Sequence, residues 1–157
     1  MTEVFRVGCA PSPPLLEALE EIEASCFSLP LSREQILSLL RNELTVWLAY
    51  GGQTPALGSL WFQRVLDEGY IGNVAVLPAF RRRGIADALL EAAEALAREM
   101  DLRFLTLEVR AGNGPAVALY EKHGYRRVGT RPGYYVSPKE DALLMTRFFR
   151  EEAEESN

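Results

Sequence analysis

The residues best suited to chemistry begin at a turn. In "NVAVLPAFRRRGIADALLEAAEALA", residues 73–97, an apolar run stops at Pro78, three arginines follow, and Gly84 opens a long amphipathic stretch. A helix starting there leaves its first backbone N–H groups without intrahelical partners. Its positive dipole end then suits an anion, phosphate above all. Gly84 lets the backbone approach a ligand without a Cβ in the way, and the small Ala86 extends that clearance into the first turn. Arg81, Arg82 and Arg83 add permanently charged donors matched to phosphate oxygens. A solvated basic turn, with glycine serving geometry alone, is the alternative reading. The pattern is neither G-x-x-x-x-G-K-S/T nor G-x-G-x-x-G with its distal acid, so the common nucleotide loops are excluded.

A second group lies in "TLEVRAGNGPAVALYEKHGYRRVG", residues 106–129. Strand alternation would put Leu105, Leu107 and Val109 on one face and Thr106, Glu108 and Arg110 on the other. An isolated strand glutamate is ordinarily solvated or paired. Asn113 is placed to cap a short helix, Pro115 fits its first turn, and Gly124 fits a left-handed end. Ala116, Leu119, Tyr120 and His123 share one helix face, so Tyr120 reads as core or as cleft wall, and Asn113 as a cap or more. His123, the single histidine, falls where a helix end favours a cation, which is a structural place. Cys26 could in principle carry an acyl group, but it falls on an apolar helix face with no histidine placed by sequence to activate it. No metal-ligand cluster is visible, and no metal is expected.

The elements that must position these residues follow from patterning. A first strand covers about residues 3–8. Ser12 then caps a helix with Pro13 in its first turn and Leu15, Leu19, Ile22 and Cys26 on its apolar face. "SREQ", residues 32–35, has capping-box spacing and opens a second short helix with Ile36, Leu37 and Leu40 inward. "TVWLAY" is a strand, Gly51-Gly52 a turn, "ALGSLWFQRV" the hairpin partner and "YIGNVAVL" another strand. A helix over 85–99, the strand "FLTLEV", a short helix over 115–122 and the strands "YRRVGT" and "ALLMTRFF" complete the chain. Strand–helix–strand in the middle implies a right-handed crossover and parallel pairing, whereas the flanking hairpins are antiparallel. The expected fold is α/β (α+β): a mixed, mostly antiparallel seven-stranded sheet with a central parallel strand–helix–strand unit and helices on both faces.

Composition bounds the rest. At 157 residues the chain reads as one domain over 1–150, followed by an acidic tail over 151–157. A net charge of −5 argues against nucleic acid as a partner and leaves room for a cationic substrate. No apolar run is long enough to cross a membrane, the first residues do not form a signal peptide, and two cysteines make no framework. The expectation is a cytoplasmic monomer or homodimer without membrane partners.

The turn Arg81-x-x-Gly84-x-Ala86, directly after "NVAVL", resembles the signature of the GNAT superfamily of N-acetyltransferases. The positions Asn113, Ala116, Leu119, Tyr120, Gly124 and Tyr125 resemble that family's second motif, N-x-x-A-x-x-L/F-Y-x-x-x-G-F/Y. Across "IGNVAVLPAFRRRGIADALLE", "LTLEVRAGNGPAVALYEKHGY" and "RPGYYVSPKEDALLM" the chain is most similar to the branch that acetylates alanine N-termini of ribosomal proteins. The resemblance implies the GNAT fold and acetyl-coenzyme A as cosubstrate. It implies that Val74, Ala75, Val76, Arg81, Arg82, Arg83, Gly84, Ile85, Ala86, Asn113 and Tyr120 hold that cosubstrate. The segment 74–76 would pair with the pantetheine arm like an added strand, its N–H groups polarising the acetyl carbonyl. Glu108 would be the general base and Tyr120 the general acid. Leu29, Pro30, Leu31, Tyr134 and Tyr135 would border the acceptor, beside Glu108. An α-amine with a pKa near 8 must lose a proton before attacking a thioester, and a carboxylate can take it directly or through water. The chain departs from the branch with Leu31 where an aromatic is usual and Gly133 where asparagine is usual. A small amine (amino acid, polyamine or aminoglycoside) is therefore the alternative acceptor to a protein N-terminus. A coenzyme-A-binding module without catalysis is the third reading, against which the retention of Glu108 and Tyr120 argues.

Overall fold

A computed structural model describes residues 3–51, 55–136 and 138–150 of the chain. Gly52 and the tail over 151–157 lie outside the described residues. Seven strands form one sheet in the order β1-β2-β3-β4-β5-β7-β6. In chain order they are β1 (Val4–Arg6), β2 (Thr45–Tyr50), β3 (Gly58–Val65), β4 (Glu68–Val76), β5 (Phe104–Arg110), β6 (Arg126–Val136) and β7 (Lys139–Phe148). All neighbours pair antiparallel except β4 and β5, the two strands joined by a helix.

The helices form where caps and apolar spacing require. Helix α1 (Pro13–Cys26) is capped by Ser12, whose side chain accepts from the Leu15 N–H at 3.4 Å. Helix α2 (Arg33–Arg41) opens with a complete capping box between Ser32 and Gln35. Helix α3 (Ile85–Glu99) spans the expected residues, and helix α4 (Gly114–Lys122) is capped by Asn113. Leu89, Leu90, Ala93 and Ala97 of α3 bury against Leu48, Leu60, Phe62, Leu105 and Leu107 on one face of the sheet. Leu16, Leu19, Ile22, Ile36 and Leu40 of α1 and α2 bury against Trp47, Ala49 and Ala75 on the other. Alternation along β2 assigns Leu48 to one core and Trp47 to the other.

Two irregularities shape the region between β4 and β5. The parallel ladder runs only from Glu68–Phe104 to Tyr70–Thr106, after which β5 no longer pairs with β4. On the other side, the β3–β4 register shifts so that Ile71 and Asn73 face the consecutive residues Phe62 and Trp61, with Gly72 the extra residue. A Cβ on Gly72 would meet the Trp61 ring at 2.1 Å, so the Trp61–Trp47 stack (centroids 5.9 Å apart) fixes a glycine there.

Strands β3, β4 and β7 differ from the sequence-based expectation by up to three residues at their ends, and three further differences are larger in kind or consequence. β1 stops at Arg6. A turn of 3-10 helix, Pro78–Phe80, precedes the arginines. β6 continues through Pro132 and Gly133 to Val136, because Gly133 adopts φ 61° and the register shifts between Arg131 and Tyr135. Those two residues read as the end of a strand but form a bulge within one.

Candidate active site

The separation of β4 from β5 opens a cleft of about 580 Å³. One wall is the strand backbone at Val74, Ala75 and Val76, still paired to β3 but free of β5. The opposite wall is α4, through Pro115, Ala116, Leu119 and Tyr120. The turn entering α3 closes one end with Arg81, Arg82, Gly84, Ile85 and Ala86. Two helix N-termini, of α3 and α4, therefore meet one cavity, which concentrates unpaired N–H groups and positive dipole ends there.

The turn leaves open space on its cleft side. Gly84 is the N-cap of α3 at φ 79°, and a Cβ placed on it would meet nothing within 4 Å. The space beside it is open, and the left-handed backbone disfavours any other residue. Arg82 also takes a left-handed conformation, φ 66°, at a cost that a ligand-binding turn often carries. The three arginines differ in use. Arg81 Nε donates to the Val76 carbonyl at 2.9 Å, pinning the turn to β4. Arg82 lines the cleft, and Arg83 stacks over Phe80 at 5.3 Å and is not among the lining residues. The side chain of Asn113 accepts from the Ala116 N–H at 3.2 Å as a cap.

Tyr120 is buried at the cleft wall, 5.9 Å from the Tyr125 ring. Burial, with a smaller contribution from Tyr135, pushes its phenol up to about 12. It therefore stays protonated across any working pH and can donate a hydrogen bond. Asp87, in the first turn of α3, faces the same cleft and accepts from Lys122 and from His123 Nε2, both at 2.8 Å. The Lys122 bond, then that of His123, holds its carboxyl below the usual range. The other ring nitrogen of His123 lies 3.3 Å from Glu94 Oε2. His123 thus clamps the end of α4 to α3, the structural place its position suggests.

A second cavity of about 390 Å³ adjoins the first. Its walls are Phe27, Ser28 and Leu29 from the connection between α1 and α2, Arg110 from β5, and Tyr134, Tyr135 and Val136 from β6. Cys26 and Phe27 line both cavities, so the two share that wall. Cys26 is the last residue of α1, half-buried against the core on the expected apolar face, and its thiol donates to the Val76 carbonyl at 3.3 Å. Leu29, Tyr134 and Val136 are exposed. The Tyr134 and Tyr135 rings pack edge to face, and Arg110 lies over Tyr135 at 4.3 Å. Among the described residues lining this cavity there is no carboxylate.

Glu108 stands behind that wall. It is on the expected face of β5, paired with Arg131 of β6, and it accepts from the Tyr134 hydroxyl, which raises the Tyr134 phenol. Of the residues read from sequence as acceptor-facing, Leu29, Tyr134 and Tyr135 line the cavity, Glu108 touches it only through Tyr134, Pro30 is not in its wall, and Leu31 packs instead against the core beneath α1 and α2. Of those read as cosubstrate-facing, all but Arg83 line the first cleft. Sequence reasoning missed Asp87, Phe27 and the buried Glu23. The charge of Asp87 reads as an ordinary helix-start acid, and Glu23 sits beside an apolar face whose spacing hides it.

Three comparisons bear on this arrangement. The model of the Acetyltransferase (GNAT) family matches residues 14–125. The ribosomal protein bS18 alanine N-acetyltransferase of Escherichia coli is 35% identical over 133 residues, covering 83% of this chain and 88% of that protein. Its crystal structure superposes with a TM-score of 0.83 over 94% of both chains, at 29% identity. An N-alpha-acetyltransferase of Saccharolobus solfataricus is 43% identical over 84 residues, covering 53% of this chain and 50% of that one.

Proposed function

The chain belongs to the GNAT family of acetyltransferases, and from that premise we propose that it moves the acetyl group of acetyl-coenzyme A onto the α-amine of a protein N-terminus. One observation carries the reading: two cavities of different character meet at Cys26 and Phe27. The first, ringed by helix N-termini, Arg82 and free strand backbone, suits a pyrophosphate and an extended amide-bearing arm. The second, with apolar and tyrosine walls, suits a peptide. A polyamine or aminoglycoside would call for carboxylates, and the described lining supplies Arg110 instead. The relatives named for protein N-termini support the same acceptor.

In this reading the amine nitrogen attacks the thioester carbon, the carbon–sulfur bond breaks and the amine proton leaves toward Glu108. The carboxylate reaches the groove through the Tyr134 hydroxyl or a water beside it. N–H groups of β4 that β5 does not pair would stabilise the developing oxyanion. Tyr120 would donate to the departing sulfur. A phenol near 12 is a weaker acid than a thiol near 8.5, so a hydrogen bond rather than complete proton transfer is its contribution. The test is acetyl-coenzyme-A-dependent thiol release with alanine-initiated peptides, free alanine and spermidine. Preference for a free amine would replace the peptide reading with a small-amine one.

A further inference from the structure

Glu23 is 2% exposed, near the end of α1, and plays no part in the chemistry above. One carboxylate oxygen accepts from the Leu31 N–H at 2.9 Å, and the other accepts from Asn73 Nδ2 at 2.9 Å. Leu31 belongs to the connection that presents Phe27, Ser28 and Leu29 to the second cavity. Asn73 sits in β4 immediately after the bulged Gly72 and before Val74, where the strand backbone becomes cleft wall. One helical turn further on, Cys26 bonds to Val76. The end of α1 is thus fastened to both ends of the segment 73–76 and, through one side chain, to the acceptor-side loop. Among the described residues no cation pairs with this carboxylate, and burial pushes its pKa up against the two hydrogen bonds. A buried carboxyl group kept without a cation is a poor choice for stability alone.

We infer that Glu23 is a positioning residue that sets the acceptor-side loop at a fixed distance from the acetyl-side strand. Both partners are met only by a side chain with two polar terminal atoms and the reach of glutamate. The inference rests on reading the cavity at 27–29 as the acceptor side.

Two readouts test it. In steady-state kinetics with an alanine-initiated octapeptide, Glu23→Ala should raise the acceptor KM about tenfold or more. Its acetyl-coenzyme A affinity by calorimetry should stay within twofold. Glu23→Gln should remain near wild type, because its carbonyl can accept from Leu31 while a turned Asn73 amide accepts from its NH₂. Glu23→Asp, too short to span both partners, should behave like alanine and serves should the alanine variant fail to fold. Amide hydrogen exchange read by mass spectrometry should show faster exchange across 28–31 in the alanine and aspartate variants. That readout needs no acceptor, so it decides the matter even if the peptide proves not to be the substrate. Unchanged exchange and KM in the alanine or aspartate variant would overturn the inference. So would a glutamine variant as impaired as alanine, which would make charge rather than reach the important property.

Discussion

At the scale of single residues, the proposed catalysis divides between a carboxylate held by partners and a phenol held by burial. Glu108 is paired with Arg131 and Tyr134, so it is oriented before any substrate arrives. Glu108→Gln should lower kcat/KM by about 10²–10⁴-fold at neutral pH. The deficit should narrow as pH rises and free amine becomes available, which a pH–rate profile would record. A wild-type rate at pH 7 would make Glu108 a strand glutamate and no more. Tyr120→Phe removes one hydroxyl from a packed wall and should keep the affinity for acetyl-coenzyme A while kcat falls by about 10–100-fold, the worth of one hydrogen bond. The folded phenol stays neutral until about 12. The wild-type kcat should therefore show no loss from Tyr120 ionisation between about pH 8 and 10, and a decline there that Tyr120→Phe abolishes would contradict the assignment.

At the scale of elements, the site depends on how α3 and α4 are set against the diverging strands. Gly84→Val places a β-branched residue at φ 79° and fills open space beside the cleft. The backbone strain costs about 1–2 kcal/mol, so the fold should survive with a lowered melting temperature. Acetyl-coenzyme A affinity by calorimetry should fall by more than the strain alone explains, and an unchanged affinity would remove the turn from the binding site. Asp87, held below the usual carboxylate range by Lys122 and His123, clamps α4 onto α3. A lowered folded-state value means that its stabilisation is present above the unfolded value near 3.8 and disappears as pH falls through the folded one. Asp87→Asn should melt a few degrees below wild type at pH 7, and the gap should close towards pH 3 in thermal scans. Elements signalled by local chemistry were legible in the sequence: Ser12, Ser32 with Gln35, Gly84 and Asn113 each mark a helix start that the structure keeps. Features set by distant partners were not. Gly72 does not announce the bulge that Trp61 requires, Pro132-Gly133 disguises a continuing strand, and Glu23 gains its meaning only when Leu31 and Asn73 arrive.

At the scale of the whole molecule, net charge and groove chemistry make separate contributions. The chain carries a formal charge of −5, yet the described lining of the second cavity offers Arg110 and no carboxylate. Attraction for a basic peptide would then come from the long-range field, which salt screens over about 10 Å at 0.1 M. Added salt should raise KM for an arginine-containing peptide and leave that of a neutral peptide unchanged. The most direct test of the central claim offers the purified protein acetyl-coenzyme A with an octapeptide of small first residue followed by arginines, free alanine and spermidine in competition. Mass spectrometry then locates the acetyl group. The account predicts acetylation of the peptide α-amine ahead of both free amines, with a falling rate constant as the peptide is truncated, since later residues position the amine. Preferential acetylation of alanine or spermidine at every salt concentration would contradict it.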